Sequence, residues 1–265
     1  MEGNLKMPAK TSRRAVKNTV RSLLITSLAA AITLLTLLAA RAAVADYEMA
    51  VRAVNQGDYS AAYREFQTLA HRGDPRGQNG LGILYVRGWG VERDLDKALN
   101  LFHIAAKQGH RAAENNLGEL YMAGLGVPKD FHQAFQWCWR AAQKGDPDAQ
   151  NNLGVMFAGG LGVEQDHAMA MYWFQKSAKQ GNVEAQANVG HLFRTGDGVE
   201  RDYVLAYAWY GIAAAGGLDM GVQLRESVAE FLSEPEVEQA RAIARDLFFK
   251  YSKAQQRMAG GEIGQ

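Results

Sequence analysis

A 36-residue interval constrains this chain more than any other feature. Displacing the sequence by that interval superposes Gly82, Gly118, Gly154 and Gly190, and again Gly88, Gly124, Gly160 and Gly196, with no gap needed. Gly90, Gly126, Gly162 and Gly198 align in the same frame, as do Val91, Val127, Val163 and Val199. A period between twenty and fifty residues marks a unit that cannot bury its own apolar face and stacks on its neighbours instead. Function then becomes a property of a surface built by repetition.

Within each interval the punctuation predicts two helices. Asp74-Pro75 and Asp146-Pro147 read as helix starts, the carboxylate taking orphan amides and the proline occupying a first-turn position that needs no donor. Asn182 serves the same purpose one unit later. First helices are expected at about 75–87, 111–123, 147–158 and 183–195, each ending at a glycine suited to a left-handed stop. Second helices open at Asp94, Asp130, Asp166 and Asp202, with Gln133 approximating a capping box after Asp130. They carry Ala98, Ala134, Ala170 and Ala206 where helices approach closely, and Phe102, Cys138, Phe174 and Tyr210 beside Trp137, Trp173 and Trp209. The period of these tryptophans makes them core residues rather than carbohydrate platforms.

Both ends depart from the period. Residues 46–73 read as a degenerate helical pair with a short link, since Asp58, Ala62, Phe66 and Ala70 precede Asp94, Ala98, Phe102 and Ala106 by 36. Four full units span 74–217. Residues 218–258 read as two capping helices, the second opening on a Ser233/Glu236 capping box, and 259–265 as a loose tail.

The near-neutral total charge hides a split. Residues 1–45 hold Lys6, Lys10, Arg13, Arg14, Lys17, Arg21 and Arg41 against Glu2, leaving 22 bases and 27 acids elsewhere. A mildly acidic body lacks the clustered cations of a nucleic-acid footprint. The basic opening, the apolar run Ser22 to Ala40 and Ala43-Val44-Ala45 read together as a secretory signal peptide, with a retained anchor as the alternative. An exported, most simply periplasmic, protein is expected, facing the periplasm from the inner membrane if the segment stays. Membrane contact follows only in that second case. The single cysteine, Cys138, has no disulfide partner.

The run Ala149-x-x-x-Leu153-Gly154-x-x-Phe157, then Gly160-Leu161-Gly162-Val163, Asp166, Ala170, Trp173-Phe174 and Gly181 resembles the Sel-one-like repeat, a relative of the tetratricopeptide repeat. The resemblance implies an all-α, right-handed α-solenoid acting as a protein-binding adaptor. In such relatives first helices line a concave groove, and an Asn before the Leu-Gly pair can grip a ligand's carboxylate or backbone. That position is Asn116, Asn152 and Asn188, with Gly80 interrupting the series. Neighbouring groove candidates are Asn79, Asn115, Asn151, Glu119, His191 and Arg194. An amide row suits main-chain recognition, and it equally suits satisfying the adjacent repeat.

Gly-x-Gly-Val joins two helices here and lacks the strand and Gly-Lys-Ser/Thr of a phosphate loop. No Gly-x-Ser-x-Gly, His-Glu-x-x-His or Ser-x-x-Lys occurs, and the six histidines show no metal spacing. The expectation is a non-enzymatic scaffold without cofactor or metal, binding a protein or peptide and not nucleic acid. The alternative is a cell-wall or carbohydrate-associated binder or weak hydrolase.

Overall fold

The computed structural model describes residues 33–34 and 44–261; the expected signal segment and the end of the expected tail lie largely outside these. Twelve helices and no strand occur among the described residues. The first, α1, covers 44–55. It is followed by α2 (Tyr59–His71), α3 (Pro75–Arg87), α4 (Leu95–Lys107), α5 (Arg111–Ala123), α6 (Phe131–Gln143) and α7 (Pro147–Gly159). Then come α8 (His167–Ala178), α9 (Val183–Thr195), α10 (Tyr203–Ala215), α11 (Gly221–Ala229) and α12 (Glu234–Gly261). The last of these continues into the stretch read from sequence as a tail.

Local chemistry sets these boundaries. Asp58, Asp74, Asp94, Asp130, Asp146, Asp166 and Asp202 each accept a backbone amide of the first helical turn, as does Asn182. Sequence reading missed one cap: His110 opens α5, its Nδ1 taking the Ala113 amide at 3.3 Å. Burial holds the His110 imidazole below its usual pKa, keeping Nδ1 available as an acceptor. At Asp130 the Asp carboxylate takes the Gln133 amide, while the Asp130 amide goes to Tyr121 O at 3.0 Å. That backbone bond does the work a Gln side chain has in a capping box, and it recurs from Asp94, Asp166 and Asp202 to Tyr85, Phe157 and Phe193. At Ser233 the Glu236 carboxylate receives both the backbone amide and the hydroxyl, at 2.8 and 2.7 Å.

The two loop glycines have different tasks. Gly124 ends α5 at φ 69° with its amide on Leu120 O, a left-handed stop that a side chain resists. Gly126 lies against α4, where a Cβ would come within 2.8 Å of the Leu95 Cβ. One closes the helix, and the other lets successive repeats touch.

Each pair packs face to face through a glycine on the first helix and a large side chain on the second. Gly82 faces Phe102, Gly154 faces Phe174 and Gly190 faces Tyr210, while in the second full repeat Gly118 faces Cys138. Phe102, Phe174 and Tyr210 are fully buried, each contributing roughly 2–3 kcal/mol. Trp173 and Trp209 are buried with them, whereas Trp137 is half-buried beneath the Arg140 guanidinium. Gly80 has its own reason: a Cβ there would meet the Phe66 ring within 2.6 Å.

Helices contact chiefly their immediate neighbours, and α5 also reaches α7 directly, so the first helices form the inner row of a solenoid. The apolar core falls into one cluster from Ala50 to Leu120 and another from Ala134 to Tyr251, with a third around Tyr207, Val228 and Ala240. The first two part in the second full repeat. There Cys138 stands where the others have a ring, and Glu114, Arg140 and Lys144 bring in charge. At the carboxyl end α10 packs on both α11 and α12, which cover the face that a further repeat would take.

Candidate functional site: the inner trough

The inner row places α3, α5, α7 and α9 side by side, and the sequence-derived candidates lie along it. Asn116 Nδ2 donates to Asn79 Oδ1 at 2.8 Å, Asn152 Nδ2 to Asn115 Oδ1 at 2.9 Å, and Asn188 Nδ2 to Asn151 Oδ1 at 3.0 Å. Six of the candidates therefore form a three-rung ladder between successive repeats. Its partners are 37 residues apart, one more than the period, so each rung links neighbouring rather than equivalent positions. The ladder begins at Asn79, which supplies the first rung although Gly80 carries no side chain. Asn79 and Asn115 are buried, and Asn116, Asn151, Asn152 and Asn188 keep partial exposure.

Glu119 stands one helical turn on. Its Oε1 accepts from Asn115 at 2.8 Å and from Asn152 at 3.4 Å. Desolvation by the surrounding trough raises its pKa, the two amides oppose that rise, and Asp148 and Asp146 add to it. Much of the residue is nonetheless exposed, so the carboxylate sits among protein atoms with an open side.

The equivalent positions in the other repeats are Ile83, Val155 and His191. Val155 is 39% exposed, an apolar group at the middle of the trough. His191 Nδ1 lies 3.3 Å from Arg194 Nη2, and its pKa is lowered by desolvation first and by the Arg194 charge second. These two lie at the α9 end, apart from the Asn79–Glu119 group.

A recess of about 420 Å³ opens between α3 and α5. Ile83, Val86, Leu120, Ala123 and Leu125 wall it, Phe102 closes its floor, and Asn116 and Glu119 line it with Arg87 and Arg93. Sequence reading did not single out the two arginines. Position 87 breaks the period, becoming Ala123, Gly159 and Thr195, whereas position 93 stays basic as Lys129 and Arg201 and becomes Gln165 in the third repeat.

A second row of contacts runs behind the ladder. Gln108 Nε2 donates to Gln78 Oε1 at 2.8 Å, and Gln180 Nε2 to Gln150 Oε1 at 2.7 Å. Between them the pair becomes Lys144 and Glu114, at 2.7 Å. In the last repeat the donor position is Gly216, and Gln186 Oε1 is buried without a partner. Among the described residues no group of three His, Cys, Asp or Glu is placed to hold a metal ion, and no helix is long and apolar enough to cross a membrane.

Paired helices on a 36-residue interval, glycine-to-ring packing and a polar inner row define an α-solenoid of the tetratricopeptide-like class. The Sel1 repeat model matches residues 75–110, 111–146, 147–182 and 183–218, more than half of the chain, and the protein belongs to the Sel1 repeat family. Its fold resembles a protective antigen of uropathogenic Escherichia coli that displays an SLR fold, with 31% identity and a TM-score of 0.71 over 82% of this chain and 48% of that one. This chain thus spans about half the length of that relative. A Sel1 repeat protein from Oxalobacter formigenes aligns over 71% of this chain and 76% of that chain, at 27% identity and a TM-score of 0.61. An immunity protein from Pseudomonas aeruginosa shares the fold at 22% identity and a TM-score of 0.52, over 81% of each chain. No curated protein matches. Sel1 repeats are a non-catalytic protein-interaction fold, and proteins built from them are generally interaction scaffolds.

Proposed function

We propose that this protein is a non-enzymatic scaffold that holds a segment of a partner protein in the inner trough formed by α3, α5, α7 and α9. The observation that carries the reading is Val155, an exposed apolar side chain midway along an inner row that also holds Glu119 and His191. Alternating apolar and hydrogen-bonding groups along a concave surface suit an extended or helical peptide. The asparagines serve this by fixing the spacing of the repeats, and their exposed edges remain at the trough surface.

Export belongs to the same proposal. The basic, then apolar, then small-residue opening of the sequence is that of a secretory signal, which would place the trough in the periplasm. Mass spectrometry of the mature chain from cells tests this: a first residue at or near Asp46 supports it, and an intact amino terminus in the cytoplasm overturns it.

Site-specific photocrosslinking tests the trough. A benzophenone residue at Val155 is expected to capture a protein partner in cells, and one at the outer-face residue Ile104 is not. Capture from position 104 alone would overturn the assignment.

A further inference from the structure

We infer that the outer face carries a binding site of its own, a recess between α2 and α4 that takes a small neutral aromatic molecule of the indole class. It lies away from the trough and stands apart from that reading. The observation behind it is a break in a periodic residue. Trp137, Trp173 and Trp209 recur at the 36-residue interval, and Leu101 stands in the corresponding place in the first full repeat. Two of these rings reach the preceding second helix: Trp137 meets His103 of α4 with centroids 5.6 Å apart, and Trp173 meets Trp139 of α6 at 5.5 Å. The position matching His103 and Trp139 is Gln67 of α2, and a recess of about 300 Å³ opens between Gln67 and Leu101.

The walls of this recess are those that surround an indole elsewhere in the chain. Ala70, Leu81 and Tyr85 line it, and the same places hold Ala106, Leu117 and Tyr121 one repeat later and Ala142, Leu153 and Phe157 in the next. A cation accompanies the ring in those repeats, Arg140 at 4.7 Å from the Trp137 centroid and Lys176 at 5.1 Å from that of Trp173. Ile104 holds that position here, and Lys97 brings the charge from an earlier turn of α4. Its Nζ lies 5.3 Å from the Tyr85 ring centroid and 3.0 Å from Asp94. Aliphatic and aromatic walls with a cation at the rim favour an electron-rich ring and disfavour a cationic one.

Gln67 gives the site its polar contact. Its Nε2 donates to Tyr63 Oη at 3.1 Å, which fixes the amide and leaves Oε1 as the acceptor that a ring N–H requires. The volume falls at the small end of ligand sites, about 300–1,000 Å³, and suits a single bicyclic ring. In the other repeats the indole grows out of the second helix that forms one wall of its slot. A chain approaching from solvent cannot reproduce that direction, whereas a free ring has no tether to place.

Methyl NMR of the full-chain protein, labelled with carbon-13 at the isoleucine δ1 methyls and titrated with 5-fluoroindole, tests the site. The Ile104 signal is identified as the one lost in Ile104→Val. It is expected to shift saturably by ring current, while Ile83 of the trough recess and Ile212 stay in place. Leu101→Trp restores the periodic residue; it should melt no lower than the parent and weaken 5-fluoroindole at least about tenfold, because its own ring fills the recess. 1-Methylindole lacks the N–H and should bind the parent about two- to tenfold more weakly than indole, and Gln67→Leu equally with it. The absence of a saturable shift at Ile104, a shift confined to Ile83 or Ile212, or affinity unchanged in Leu101→Trp overturns the inference. A lowered melting midpoint for Leu101→Trp shows that the recess does not accept an indole and also counts against it. N-acetyltryptophanamide binding about tenfold more tightly than indole overturns the free-molecule assignment in favour of a tryptophan on a partner chain.

Discussion

Lys144 Nζ lies 2.7 Å from Glu114 Oε2, and this charged pair occupies the place that Gln108–Gln78 and Gln180–Gln150 hold in the adjoining repeats. Glu114 has no exposed surface, and Arg140 Nη2 approaches its other oxygen at 3.0 Å. Lys144 also donates to Gly109 O at 3.1 Å, tying the end of α6 back to the preceding repeat. Both partners have changed together, so the rung survives with different chemistry.

Lys144→Ala leaves a buried carboxylate with only Arg140 beside it. The full penalty for breaking a buried pair, about 3–5 kcal/mol, is reduced because Arg140 remains and Lys144 is partly exposed. A loss of about 1–3 kcal/mol in urea unfolding is expected. The double variant Glu114→Gln with Lys144→Gln recreates the neighbouring rungs and should return to within about 1 kcal/mol of the parent.

Gly154→Ala places a methyl against the Phe174 ring, which is boxed in by α7 and α8. Overpacking of this kind costs about 1–3 kcal/mol, outweighing the gain in helix propensity of about 1 kcal/mol. Thermal melting should show a lowered midpoint, and Gly154→Ala with Phe174→Leu should recover part of it.

His110 gives the fold a pH dependence whose sign is fixed by its cap. Burial lowers its folded-state pKa below the usual value of about 6.5, with Arg111 and Arg76 acting the same way and Asp74 and Glu114 opposing. The unfolded chain therefore takes up the proton first as pH falls. Its contribution is complete above about pH 6.5 and is lost as pH drops through the lower folded value. His110→Asn keeps a capping acceptor without the titration. The stability difference between parent and variant, measured by denaturant from pH 7.5 to 5, should move against the parent toward acid.

Cys138 is buried in α6 against Gly118, and desolvation pushes its thiol up to about 12. Only the thiolate reacts readily. A disulfide reagent at pH 8 should leave the folded protein unlabelled and modify one thiol once urea unfolds it. Fast labelling of the native protein would contradict the packing of the second full repeat.

The fold was legible because its signals are local and repeated. A capping Asp acts within one helical turn, and a glycine that stops a helix is read at its own position, so helix limits and the solenoid class follow from short windows applied at the 36-residue interval. His110 escaped that reading because imidazole is a rare cap and its role depends on being held neutral by burial. The asparagines could be placed on the inner row from sequence. That their amides join in pairs 37 residues apart depends on the stagger between stacked helices, which no single window contains. The Lys144–Glu114 exchange and the recess holding Arg87 and Arg93 belong to the same class. They are departures from the repeat, brought together by packing between elements, and only the tertiary structure decided which of them meet.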